Sequence, residues 1–367
     1  MKIKEIELRT IHLPLVRPFR TSFGTQTSRE VLIVKVTNEN GTAGWAECVA
    51  MSEPLYSPEY VAGCIDLIKR FLIPALKAKP EINAEDVATV LKPFLAGQMA
   101  KASLETAIFD AQLKDQKVSL ASYLGATKSK VECGVSVGIA NNLEALGEEV
   151  KSYVDAGYRR IKLKIEPGWD IEAVKYIRNL YPDIPLQVDA NQAYSRNDGK
   201  HLAKLDEFNL LLIEQPLDEH DILGHALLAK EVKTAICLDE SIISLQSAED
   251  ALALKATTII NIKPGRVGGY LESVKIHDLC LKNKIPVWCG GMLETGIGRA
   301  ANLALAALPG FTLPGDTSAS ARYFKQDITT PFVMEDGYLS VPNKPGIGVE
   351  PDMDFLESIT KSKEIIV

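Results

Sequence analysis

No stretch of this 367-residue sequence approaches the ~20 consecutive apolar residues of a membrane span. No basic block stands out, and the formal net charge is -7, which argues against a nucleic acid or an anionic membrane as partner. Met1-Lys-Ile-Lys-Glu-Ile-Glu-Leu8 alternates charged and apolar residues like a first strand and has no signal-peptide core. Paired cysteines are missing too. Cys48, Cys64, Cys133, Cys237, Cys280 and Cys289 form no C-x-x-C and sit in apolar runs, where free cysteine acts as a small hydrophobe. A reduced, cytoplasmic protein is expected. Low-complexity linkers are absent. What is present is 46% hydrophobic residues over a length that accommodates a barrel plus a smaller domain.

Residues 1–125 read as an α+β domain. Strands are expected over residues 3–14, 30–37 and 42–47, the last two joined by the turn Asn38-Glu-Asn-Gly41. Residues 17–24 are polar and contain glycine, so a mobile loop is expected there. Apolar residues at helical spacing follow in 61–76 and 100–113. From about residue 131 strands and helices alternate, and residues 126–327 read as a barrel domain. Its first strand is expected over 132–139 and its first helix over 142–156. Asp170 and Ser247-Ala-Glu-Asp250 are expected to cap later helices. Thr312-Leu-Pro-Gly-Asp316 would be the eighth strand. Residues 328–367 have few helical signals and are expected to pack back on the first domain.

The spacing of charged residues carries the functional reading. Lys164, Asp189, Glu214, Asp239 and Lys263 are separated by 25, 25, 25 and 24 residues, and each closes a short apolar run. That interval is one strand, loop, helix and loop, so the five residues would sit at the carboxyl ends of successive parallel strands. In a (β/α) barrel those ends meet at one mouth, where active sites lie.

Asp189, Glu214 and Asp239 would converge from adjacent strands and repel one another unless a cation offsets them. An all-oxygen set without clustered His or Cys selects Mg²⁺ first and Mn²⁺ second. Two other readings stay open: each acid pairs locally with Lys or Arg, or the lysines neutralise the acids and no metal binds. Lys162 and Lys164 lie two apart on one strand and would both face the mouth. Adjacent ammonium groups would lower at least one pKa and suit Lys164 to act as a general base. Lys263 would face it from the sixth strand. The chemistry that fits is proton abstraction next to a carboxylate, with a divalent ion stabilising the enediolate. A Schiff-base aldolase would leave the three acids without a role, and a non-catalytic barrel would leave the whole set without one.

These residues resemble the enolase superfamily. Lys162-Leu-Lys164, Asp189-Ala-Asn191, Ile213-Glu-Gln-Pro216, Leu238-Asp-Glu-Ser241 and Asn261-Ile-Lys-Pro-Gly265 are similar to its muconate-lactonizing subgroup. The mandelate-racemase pattern would need a His on the seventh strand, which reads Val287-Trp-Cys-Gly290. Within the subgroup, Ala46-Glu-Cys-Val-Ala-Met51, Tyr56-Ser-Pro-Glu-Tyr60, Gly134-Val-Ser-Val-Gly-Ile139, Gly290-Gly-Met-Leu-Glu-Thr-Gly296 and Leu313-Pro-Gly-Asp-Thr-Ser318 resemble o-succinylbenzoate synthases that overlap with N-acylamino acid racemases. A dipeptide epimerase would carry D-x-D at the eighth strand, where this chain has Pro314-Gly-Asp-Thr317. A muconate cycloisomerase is a further alternative.

The resemblance implies a cap domain over a (β/α)7β barrel, with Mg²⁺ on Asp189, Glu214 and Asp239. It implies that Lys164 is the base for a small carboxylate substrate. In a synthase, dehydration would give o-succinylbenzoate for menaquinone biosynthesis, and Lys263 would stabilise the enediolate. In a racemase, Lys164 and Lys263 would exchange donor and acceptor roles. Lys162, Asn191 and Glu240 are expected to support the metal and the lysines. Phe19, Phe23, Met51, Tyr56, Ser136, Gly290, Gly291 and Met292 are expected near the substrate. A homo-oligomer is expected.

Overall fold

The structure, a computed structural model, describes residues 1–366. Strands β1 (Ile3–Thr21), β2 (Gly24–Asn38) and β3 (Ala43–Cys48) form an antiparallel sheet. The segment 17–24, expected as a loop, is the distal part of the β1–β2 hairpin. Phe19 pairs with Gln26 and Thr21 with Gly24 beyond an irregularity that starts at Pro14. Pro14 and Pro18 lack N–H groups and interrupt the ladder only locally. The strand period then resumes, with Phe19 and Thr21 buried and Arg20 exposed.

Helix α1 (Gln98–Gln116) lies across this sheet and is buried almost continuously from Met99 to Leu113. Gly44 on β3 makes the approach possible: a Cβ there would fall 2.0 Å from the Ala107 carbonyl oxygen. The segment expected as one helix over 61–76 is divided into Val61–Leu67, a π-turn Ile68–Leu72, and Ile73–Lys77.

The barrel then alternates: β4 (Gly134–Val137), α2 (Leu143–Asp155), β5 (Arg160–Lys164), α3 (Ile171–Leu180), β6 (Leu186–Asp189), β7 (Ile213–Glu214) and α4 (Ile222–Leu228). It continues through β8 (Ile236–Leu238), α5 (Leu245–Ala253), β9 (Ile259–Ile262), α6 (Tyr270–Lys282), β10 (Val287–Cys289) and α7 (Gly296–Ala306). The seven strands form one parallel sheet in the order of the chain.

The expected eighth strand is not a ladder, because Pro314 offers no donor. Isolated bridges close the ring instead. Gly134 N donates to Gly315 O at 2.7 Å, Asp316 N donates to Cys289 O at 2.9 Å, and Phe311 bridges Val287. Asn142 and Asp170 cap α2 and α3. The cap of α5 is Ser244, not Ser247: Ser247 is its third residue, and its N–H donates to Ser244 Oγ at 3.2 Å.

The tail contains α8 (Met353–Ser358) and β11 (Thr360–Ile366), and β11 pairs with β1 to make the sheet order β11-β1-β2-β3. Among the described residues no helix is long and apolar enough to cross a membrane.

Candidate active site

Two-residue alternation decides what each barrel strand contributes to the interior. Leu212, Cys237, Ile259 and Trp288 form a separate buried apolar cluster, the floor of the site. The Trp288 ring carries two cations, Lys162 Nζ at 4.7 Å and Arg160 at 5.1 Å. Two residues further along the same strands come Glu214, Asp239 and Asn261, and beyond Asn261, Lys263. Lys164 and Asp189 are register partners, as are Asp189 and Glu214, so these charges are neighbours by strand pairing.

The acids and cations of this layer interlock. Lys162 Nζ donates to Glu214 Oε2 at 3.0 Å and lies 2.7 Å from Asp316 Oδ2 and 3.3 Å from Asp189 Oδ2. Burial penalises its charge, but Asp316, Glu214 and Asp189 hold its pKa above the ordinary lysine value. The lowering expected from two adjacent ammonium groups therefore does not reach Lys162. Lys164 Nζ donates to Asp189 Oδ2 at 2.6 Å and Asn191 Oδ1 at 2.5 Å. Asn191 Nδ2 in turn donates to Glu240 Oε1 at 2.8 Å, leaving Glu240 Oε2 buried without a partner. Across the mouth, Lys263 Nζ donates to Asp239 Oδ2 at 2.8 Å and Tyr56 Oη at 2.9 Å. Arg266 pairs with the other oxygen of Asp239. Burial opposes ionisation of Asp239, yet Arg266 and Lys263 hold its carboxyl below the usual range.

Lys164 and Lys263 line one cavity of about 370 Å³ together with Asn191, Gly291, Met292 and Leu293. The cap contributes Phe19, Thr21, Phe23, Gln26, Arg29, Met51 and Tyr56 to its walls. The hairpin tip is tied to the barrel by Ser22 Oγ, which donates to Ala190 O at 3.1 Å. Of the residues expected near substrate, Ser136 and Gly290 do not line this cavity. Ser136 is buried with an unpartnered hydroxyl. Gly290 lines a second cavity of about 440 Å³, which Lys263, Glu47 and Glu294 also border. Its missing side chain gives Lys263 room: a Cβ there would meet Lys263 Cε at 2.6 Å.

The structure adds residues that the spacing did not identify. Asp316 ends the expected eighth strand and binds both Lys162 and Arg160, the latter at 2.8 Å. Its place at a strand end was the available signal. Arg266 lies one helical turn after Lys263. Thr21, Gln26, Arg29 and Leu293 reach the cavity through tertiary packing, and nothing local in the sequence marks them.

Asp189, Glu214 and Asp239 fit a hard divalent ion by donor chemistry, since all are carboxylates and no His or Cys joins them. Burial, Asp189 and Asp239 push Glu214 up to about 8 against the pull of Lys162. A divalent charge beside the three acids would favour their ionised forms. Among the described residues, no group of three His, Cys, Asp or Glu side chains is gathered as a cation site. The carboxylate oxygens turn to Lys162, Lys164, Lys263 and Arg266, the direct neutralisation that the sequence left open.

Comparison with known proteins identifies this arrangement. Residues 5–125 match the mandelate racemase/muconate lactonizing enzyme N-terminal domain, and residues 145–355 match the enolase C-terminal domain-like family. An N-succinylamino acid racemase of Amycolatopsis sp is 54% identical over 99% of both chains. An o-succinylbenzoate synthase of Bacillus subtilis (strain 168) is 45% identical over 100% of this chain and 98% of its own. The crystal structure of an enolase superfamily member from Listeria innocua superposes with a TM-score of 0.95 at 43% identity, covering 100% of this chain and 99% of that one. Members of the superfamily generally use a divalent metal such as Mg²⁺. The chain is an enzyme of the enolase superfamily.

Proposed function

We propose that the chain is a Mg²⁺-dependent o-succinylbenzoate synthase, which dehydrates a succinyl-hydroxycyclohexadiene carboxylate for menaquinone biosynthesis. The observation that carries this reading is the pair Lys164 and Lys263. They project from β5 and from the end of β9, on opposite sides of the ring, into one cavity. When bound, Mg²⁺ (or Mn²⁺ in its place) on Asp189, Glu214 and Asp239 would offset the negative charge that develops on the substrate carboxylate.

Lys164 acts as base in its neutral form, its ammonium proton having passed to solvent before the substrate closes the site. Its Nζ takes the proton α to the carboxylate, leaving an enediolate. The same nitrogen then returns a proton to the departing hydroxyl, which leaves as water as the ring becomes aromatic. Lys263 stays protonated, because Asp239 favours its charged form, and stabilises the enediolate from the other side. The floor of Trp288 and its neighbours and the cap residues Phe19, Phe23 and Tyr56 exclude water from this exchange.

A second reading is N-succinylamino acid racemase, alone or beside the first. The 54% identical relative carries that name, and two lysines on one cavity suit proton delivery to opposite faces of one carbon. Steady-state kinetics with Mg²⁺ on both substrates decide between them. High kcat/KM for dehydration alone supports the synthase, and comparable racemisation supports a bifunctional enzyme. Chelation should abolish either activity and added Mg²⁺ restore it. Full activity after exhaustive chelation would remove the metal from this proposal.

A further inference from the structure

Most buried arginines of this protein are matched to an acid. Arg9 pairs with Glu7, Arg160 with Asp316, and Arg266 with Asp239. Arg29, on β2, is 1% exposed and makes no such pair. Its one hydrogen bond is from Nη2 to the Val49 carbonyl at 3.3 Å, and its Nε is buried without a partner. Glu47 and Glu294 are close enough to favour its charge, but neither forms an ion pair with it. Glu47 spends Oε2 on the N–H and hydroxyl of Thr295, at 2.9 and 2.7 Å. A buried cation left without an acid is costly, and a ligand that supplies the acid recovers that cost.

Arg29 also lines the cavity of Lys164 and Lys263. The lysines and Asn191 come from the ends of the barrel strands, whereas Arg29 enters from the cap sheet. A substrate held by its reacting carboxylate at the barrel therefore presents its other end to the cap. We infer that Arg29 is a specificity-determining residue that binds a second carboxylate, at the distal end of the substrate's acyl chain. The guanidinium presents paired N–H donors that match a carboxylate in a bidentate contact. The inference rests on the function proposed above and narrows its substrates to dicarboxylates. An N-succinyl amino acid satisfies Arg29, and an N-acetyl amino acid leaves it unpaired.

The test compares N-succinyl- and N-acetyl-amino acids of the same side chain in wild type, Arg29→Gln and Arg29→Lys. The readout is the ratio of kcat/KM on the succinyl substrate to that on the acetyl substrate. In Arg29→Gln this ratio should fall about 30-fold, chiefly through KM, as expected when one partner of a desolvated charge pair is removed. Arg29→Lys, which keeps the charge but loses the fork, should recover part of the ratio. A purely structural Arg29, serving only as counter-charge to Glu47, would lower both substrates equally and leave the ratio unchanged. That result overturns the inference alone. If Arg29→Gln does not fold, an unchanged ratio in Arg29→Lys overturns it and an intermediate ratio supports it. Wild-type protein that racemises neither substrate overturns the racemase reading, and the variants are then read on the succinyl-hydroxycyclohexadiene carboxylate, where a raised KM in Arg29→Gln that Arg29→Lys partly restores supports the role of Arg29 and an unchanged KM overturns it. Wild-type protein that also fails to dehydrate that substrate overturns the function proposed above.

Discussion

At the barrel mouth, Asp189 and Asp239 are buried against lysine and arginine side chains, and both carboxyls lie below the usual range despite burial. Where the cap meets the barrel and the C-terminal segment, Glu47, Glu105 and Asp110 are buried as deeply, but burial dominates and pushes them up to about 7, 8 and 6. Their partners there are largely backbone. Glu105 accepts from the N–H groups of Tyr270 and Leu271 at 2.5 and 3.2 Å, and Asp110 accepts from those of Trp45 and Ile347, both at 2.8 Å. Asp110 adds one cation, Lys114 at 2.8 Å. Backbone donors orient an acid without neutralising it. Side-chain cations neutralise it and can also give up or receive a proton. The same residue type thus fastens two domains in one place and sets up proton transfer in the other, and substitutions should separate the two.

The largest separation is expected at Lys164. Lys164→Ala should lower dehydration and racemisation by ~10³-fold or more, within the range for loss of a general base. Its melting temperature should stay near that of wild type, since Lys162 still neutralises Asp189. Lys263→Ala should divide the reactions: ~10³-fold lost in racemisation, where it is a second base, and ~10- to 100-fold in dehydration, where it only stabilises charge. Equal losses in both reactions would deny the asymmetry between the two lysines. A large fall in melting temperature for Lys164→Ala would blur the contrast between mouth and joint.

Tyr56 sharpens the comparison at a smaller scale, because a cap residue here joins the chemistry of the mouth. Its hydroxyl accepts from Lys263 and donates to Asp239 at 3.2 Å, and the ring lies 4.6 Å from Lys263 Nζ. Tyr56→Phe keeps the ring and removes the hydroxyl, so kcat/KM should fall about 10-fold, the scale of one hydrogen bond to a charged group. An unchanged rate would make Tyr56 a packing residue only.

How far these regions could be read beforehand follows from what a chain period reports. An interval of 25 residues marks strand ends, so Lys164, Asp189, Glu214, Asp239 and Lys263 were legible as a group. So was the polarity of the barrel, because inward and outward residues alternate. Asp316 follows Pro314, which breaks the eighth strand into two bridges and hides its register. Arg266 sits in a helical turn, outside the strand count. Arg29 faces the cavity because the β1–β2 hairpin folds over the mouth, a tertiary fact that alternation along β2 cannot express. The extension of that hairpin through residues 17–24 was missed for a related reason. Pro18 and polar residues signal a loop locally, while pairing with Gly24–Gln26 overrides them.

The smallest effect is expected at the joint, and only in its pH dependence. Glu105 reaches from α1 to the N-terminus of α6, where a Cβ on Gly269 would lie 2.3 Å from its carboxylate. Its pKa rises on folding from 4.5 to about 8, burial being the main cause. An acid raised in this way contributes stability that is complete below its unfolded pKa. That contribution is lost as pH rises from about 4.5 to about 8, because the unfolded chain ionises Glu105 over that range while the folded state keeps its proton, and the loss is complete once pH has risen through about 8. Glu105→Gln keeps an oxygen for Tyr270 and Leu271 and cannot ionise. Relative to wild type, the variant should therefore gain on the order of 4 kcal/mol in stability between pH 5 and pH 9. Thermal or urea unfolding at the two pH values measures it, with kcat/KM at pH 7 expected to stay within about twofold. A stability difference independent of pH would mean that Glu105 is ionised throughout, as burial beside cations favours for Asp189 and Asp239 at the mouth. The contrast between the two regions would then lie in their partners and not in their charge.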